Sequence, residues 1–78
     1  MYNSLKLIRV RPVSGGWMLD SDLTDLALMF RSGGAAERKA HQLAHLARRQ
    51  GDMAQVVIYD RSGVVLGSFR TGVGGQPA

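Results

Sequence analysis

AAERKAHQLAHLARRQ, the stretch from Ala35 to Gln50, decides the fold, because it reads as the only long helix of a 78-residue chain. Ala36, Ala40, Leu43, Ala44 and Ala47 fall at i, i+4, i+7, i+8 and i+11. At about 100° per residue they occupy a stripe roughly 100° wide, the width of a core-facing helix, with Leu46 at its edge. Alanine dominates that stripe, so the helix can lie close to a sheet. The other side carries Arg38, His41, Gln42, His45, Arg48 and Arg49, with Glu37 as the only acid. Ser32 is the expected N-cap and Gly51 the expected glycine after the last turn. Arg48 and Arg49 sit where the helix dipole favours cations.

The segments before the helix read as strands. In Leu5 to Val13, a period of two sends Ile8, Val10 and Pro12 one way and Leu7, Arg9 and Arg11 the other. Pro12 ends ladder pairing or marks an edge. Ser14-Gly15-Gly16 is a turn signal, and Trp17 to Asp20 completes a hairpin. Leu23 to Phe30 fits either a strand or a short helix by periodicity alone.

After the helix, Met53 to Tyr59 holds the β-branched run Val56-Val57-Ile58 followed by Tyr59, the strongest strand signal in the chain. Asp60-Arg61-Ser62-Gly63 fits a type I turn with a glycine bulge. Val64 to Arg70 is a fifth strand. The expected architecture is α+β, a small, mainly antiparallel sheet of four to five strands in the order β-β-β-α-β-β, with one helix packed on one face. Residues 1–70 form the single domain and residues 71–78 a glycine-rich flexible tail.

One helix can cover only one face of a sheet. Trp17, Leu19, Leu26, Leu28, Phe30, Val56, Ile58, Val65 and Phe69 are expected beneath it. Leu7, Met18, Met29, Val57, Tyr59, Val64 and Leu66 then fall on the opposite face, which is too apolar to be left to water in a small monomer. A second copy covering it, and hence a homodimer, is the simplest physical solution. Leu7, Met18, Met29, Val57, Tyr59 and Leu66 would form the partner face.

Taken together, Ile8-x-Val10-x-Pro12, Gly16-Trp17, the alanine-rich helix with Ala40, Leu43, Ala44 and Ala47, Gly51, Ala54-x-Val56-Val57-Ile58 and Arg61-x-Gly63 resemble the small bacterial proteins grouped as DUF2188. The likeness spans nearly the whole chain. Tyr59-Asp60-Arg61-Ser62-Gly63 stands where that family has H-G-R-D-G, and Ser-Gly-Gly precedes the helix in place of a threonine capping box. The resemblance implies an α+β domain, favours a strand over Leu23 to Phe30, and supplies no catalytic residues.

The totals bound the function. A chain of this size buries only about 60% of its unfolded surface, so it is marginal by itself and has little room for an enzyme-sized cleft. It has no cysteine, which removes disulfides and thiolate metal sites. No apolar run is long enough to span a membrane, and the first residues lack the apolar core of a signal peptide, so a cytoplasmic protein is expected. His41 and His45 share a helical face at i, i+4, but no third ligand or catalytic glutamate accompanies them, and a solvated helix face is the simpler reading. Asp20, Asp22, Thr24 and Asp25 lack the glycine and glutamate of a calcium loop and read as a polar turn. No phosphate-loop, dinucleotide or nucleophile-elbow pattern occurs. No catalytic residue, metal, cofactor or small-molecule substrate is therefore expected.

The expected function is that of a non-enzymatic, self-associating interaction module. The alternative is a small basic nucleic-acid-binding protein: the net charge is +4 and the isoelectric point near 10.4. Arg9 and Arg11 beside Tyr59 on the sheet, and Arg38, Arg48 and Arg49 on the helix, would make its contacts.

Overall fold

The computed structural model describes residues 4–71. Strands β1 (Leu5–Val13), β2 (Gly16–Ser21) and β3 (Thr24–Phe30) precede helix α1 (Gly33–Arg49), and β4 (Met53–Tyr59) and β5 (Val65–Thr71) follow it. This is the expected β-β-β-α-β-β order, with one helix packed on a five-stranded sheet. The ambiguous third segment is a strand. Thr71 closes β5, paired with Ala54; the rest of the expected tail lies outside the described residues.

The sheet order is β3-β2-β1-β4-β5. The three hairpin-type pairs are antiparallel, whereas β1 and β4 run parallel, with Ile8 beside Val56 and Val10 beside Ile58. The chain winds outward from β1 through β2 to β3, crosses by α1 to the other side of β1, and winds outward again through β4 to β5. A parallel pair needs such a crossover, and α1 supplies it.

Local chemistry sets the helix ends. The Ser32 hydroxyl accepts from the Ala35 N–H at 3.1 Å, as an N-cap should. At the other end the Gly51 N–H donates to the Arg48 carbonyl and the Asp52 N–H to the Ala47 carbonyl, a Schellman pair closed by Gly51 at φ +88°. Asp52 then reaches further. It is buried, and its carboxylate accepts from the Ser4 N–H at 3.2 Å, while the Met53 N–H donates to the Ser4 carbonyl. The start of β1 is thereby fastened to the end of the helix, which fixes the parallel register of β1 against β4.

Ala36, Ala40, Ala44 and Ala47 are all at most 1% exposed, and they press on Ile8, Val10, Leu19, Ala54 and Val56. Trp17, Leu28, Phe30, Leu43, Ile58 and Phe69 pack around this centre. Two residues expected under the helix are not there: Leu26 is 73% and Val65 52% exposed. The helix lies chiefly over β1 and β4, and it leaves the outer parts of the edge strands β3 and β5 uncovered. Leu46 also faces outward, at 45% exposure.

Candidate functional site

Residues paired across strands share a face, so the register identifies the face that α1 leaves open. Leu5 lies beside Met53, Leu7 beside Gln55, Arg9 between Asp20 and Val57, and Arg11 beside Met18, which pairs with Met29. Leu7, Met18 and Val57 are half-buried and Met29 is 59% exposed. Leu66 departs from the expectation. It falls within a bulge between the pairs Ile58–Gly67 and Tyr59–Val65, where strict alternation is interrupted. It is 64% exposed, and Val64 is exposed beside it in the hairpin.

A charged seam crosses this face. The Arg9 Nε donates to Asp20 Oδ1 at 2.6 Å, and an Arg11 Nη donates to Asp20 Oδ2 at 3.1 Å. A second Arg9 nitrogen stands 3.8 Å from Asp22. Asp22 is itself tied to β1, accepting from the Leu7 N–H at 2.9 Å. The sequence reading of Asp20 and Asp22 as turn residues missed this role. Pairing across β1 and β2 brings both carboxylates to the arginines, and that register is not visible in residue spacing. Pairs this exposed are each worth roughly 1 kcal/mol or less, so the seam orders side chains more than it stabilises the fold.

At the carboxyl ends of β1 and β4 the open face runs into a cleft of about 480 Å³. Its origin lies in the topology. The β1–β4 ladder stops at Val10 and Ile58, while β1 continues against β2 as far as Val13. The β1–β2 and β4–β5 turns then leave the two parallel strands on opposite sides. Arg9, Arg11 and Pro12 line one wall; Tyr59 and the turn Asp60 to Gly63 line the other. Arg9, Arg11 and Tyr59, proposed as neighbours from the sequence, do meet here.

The turn is rigidly built. Asp60 Oδ1 accepts from the Ser62 N–H, the Ser62 hydroxyl and the Val64 N–H, all within 2.9 Å, and Gly63 takes φ +85°. These bonds, first the one from the Val64 N–H, hold the Asp60 carboxyl below its ordinary value. Its contribution to the turn is present above the usual carboxylate range and is lost as pH falls through the lowered value.

The helix cations lie on the other side of the molecule. Arg38, Arg48 and Arg49 are exposed, and none forms an ion pair among the described residues. They do not converge with Arg9 and Arg11, so the cations named from the sequence fall into two separate groups. His41 stacks on Phe69 of β5, ring centroids 4.3 Å apart and 11° from parallel, and so helps to seat the helix on the sheet. Among the described residues no group of three or more His, Asp or Glu side chains could hold a metal ion, and no helix is long and apolar enough to cross a membrane.

No family model, curated protein or solved structure matches the chain. An assignment to DUF2188 therefore has no support.

Proposed function

We propose that this chain is a non-enzymatic, cytoplasmic interaction module that pairs with a second copy of itself through the open sheet face. The observation carrying this reading is the combination on that face of half-buried and exposed apolar residues with a self-neutralising seam. Leu7, Met18, Met29 and Val57 flank Arg9 and Arg11, whose charges are met by Asp20 and Asp22 of the same chain. A seam that balances its own charge meets an identical seam with little repulsion, which suits a two-fold contact, and Arg70 beside it is held by Gln55. Five strands at about 4.8 Å spacing, each about six residues long on the face, give a flat footprint of roughly 500 Å² per copy at most. Two copies then bury about 1,000 Å², the lower bound for a specific interface, so the dimer should be weak and concentration-dependent.

Sedimentation equilibrium tests this. The wild-type chain is expected to shift from monomer to dimer across the micromolar range. Val57→Glu adds a charge at the centre of the face, yet within one chain it sits beside Arg9 and is tolerated. The variant is expected to stay folded and monomeric. A wild-type chain that remains a monomer at high micromolar concentration removes the proposal. So does a folded Val57→Glu dimer, because pairing through the exposed edge of β3 or β5 would survive that substitution.

A second reading rests on the unpaired helix cations. Arg38, Arg48 and Arg49 are exposed, form no ion pair among the described residues, and could lie along a phosphate backbone. Under this reading Arg48→Ala/Arg49→Ala lowers affinity for duplex DNA or RNA uniformly across sequences and flattens its salt dependence by about two units of slope. Unchanged binding, or none by the wild type at low salt, rules it out.

A further inference from the structure

We propose that the cleft between β1 and β4 binds a phosphate ester carried on a flat ring, the chemistry of a nucleoside monophosphate. This goes beyond the self-association reading; because Arg9, Arg11 and Tyr59 border the face proposed for self-association, ligand and second copy would compete for it.

Position is the first support. The sheet order β3-β2-β1-β4-β5 places the reversal of winding between β1 and β4. These are the only parallel neighbours among the described residues, and the cleft opens at their carboxyl ends. In open α/β sheets the crevice at such a reversal holds ligands, and this single parallel pair, followed by turns that diverge to opposite sides, has the same local arrangement. The volume of about 480 Å³ falls in the range of small-molecule sites.

Preorganisation of charge is the second. Asp20 grips Arg9 through Nε and Arg11 through one Nη, at 2.6 and 3.1 Å. Each guanidinium carries five N–H donors, so both keep donors for an anion while their positions are fixed from behind. Arg61 faces them from the opposite wall, exposed and without an ion pair among the described residues. The one acid in the lining, Asp60, has its Oδ1 occupied by three donors of its own turn. Asp20 and Asp22 offset the charge of Arg9 and Arg11, so the pull on an anion comes from Arg61 and from the guanidinium N–H donors those ion pairs leave open, whose forks match phosphate oxygens bidentately.

Tyr59 gives the third support and narrows the ligand class. It is half-buried in the same wall, beyond the last paired residue of β4 with β1, so its ring borders the cleft. An inorganic anion would not use that ring; a flat heterocycle would stack on it.

Calorimetric titration of the full chain with adenosine 5′-monophosphate, adenosine and inorganic phosphate tests the proposal. Oligomeric state should be recorded in the same samples. The monophosphate is expected to saturate one site per chain, with inorganic phosphate weaker and adenosine weaker still. Arg61→Ala, on an exposed turn position, should weaken the monophosphate at least about tenfold while leaving the circular dichroism spectrum intact. Tyr59→Leu should bring its affinity down towards that of inorganic phosphate. A 5′-phosphorylated oligonucleotide that displaces the monophosphate and binds more tightly would identify a strand terminus as the source of the same chemistry. Absence of saturation at millimolar monophosphate overturns the proposal. Equal binding of adenosine, or indifference to Arg61→Ala, does so as well. A dimer that fails to bind the monophosphate leaves self-association standing, and a monomer that binds it removes only self-association.

Discussion

Replacing Ala40 and Ala44 together by leucine is expected to leave the chain largely unfolded at physiological temperature. Both positions are at most 1% exposed, pressed between the helix backbone and the Ile8, Val10 and Val56 side chains. Each substitution adds three carbons where close packing leaves no space, at a cost of about 1–3 kcal/mol and occasionally more. The two sites are one helical turn apart and face the same strands, so their costs compound and do not relax independently. Small domains hold about 0.05–0.15 kcal/mol per residue, which gives roughly 4–12 kcal/mol for this chain. Two such costs sum to about 2–6 kcal/mol, between a sixth and all of that stability, and their compounding moves the loss towards the upper end. Gln42→Leu places the same leucine side chain on the exposed side of the helix, where nothing confines it, and should change stability by less than about 0.5 kcal/mol. Urea unfolding followed by circular dichroism distinguishes the two. If the double variant unfolds at the wild-type urea midpoint, the helix does not sit against the sheet as closely as described.

Alanine periodicity is why so much of the architecture was legible. Four small residues at helical spacing state both that a helix exists and that it approaches a flat partner. Alternation in Leu5 to Val13 correctly separated Ile8 and Val10 from Leu7, Arg9 and Arg11, because a half-covered strand must alternate. The expected cover over Leu26 failed because one helix is about 10 Å wide and the sheet more than twice that, so edge strands are covered only in part. That over Val65 failed because the β4–β5 bulge pairs it with Tyr59 and turns it to the open face. Alternation also fails at a bulge, which is why Leu66 is not assigned to a face by counting. The parallel pairing of β1 and β4 was not legible at all. Nothing in either segment names its neighbour; the Asp52–Ser4 latch that selects it joins residues 48 positions apart. The cleft follows from that pairing, so the sequence brought Arg9, Arg11 and Tyr59 together on a face but gave no sign of Arg61 opposite them, or of Asp20 as the group that holds two of the arginines in place.

Gly16→Ala carries the other large expected effect, from a single methyl group. A Cβ built on Gly16 would stand 2.4 Å from the Phe30 carbonyl oxygen, well inside any contact that carbon and oxygen tolerate. The obstructing atom is backbone, so no side-chain rotation relieves it. Gly16 pairs with Val13 at the start of β2, and its neighbour Trp17 pairs with Phe30. The end of β3 must then move away from β2, and Phe30 is only two residues from Ser32, the cap of the helix. Displacement there weakens the strand pairing and the N-cap together. The expected loss is about 1–3 kcal/mol for alanine and more for valine, whose branches meet the same carbonyl. Gly67→Ala is the matched control: it also lies in a strand, nothing stands within 4 Å of its added Cβ, and its φ is ordinary. That change should be neutral or slightly stabilising, because it restricts the unfolded chain without crowding the folded one. Amide shifts should report the Gly16→Ala disturbance at Phe30 to Ala35 and spare the β4–β5 turn. If Gly16→Ala melts with the wild type, the close approach of β3 to the first residue of β2 is not part of the native fold, and the seating of Trp17 against Phe30 would need another explanation.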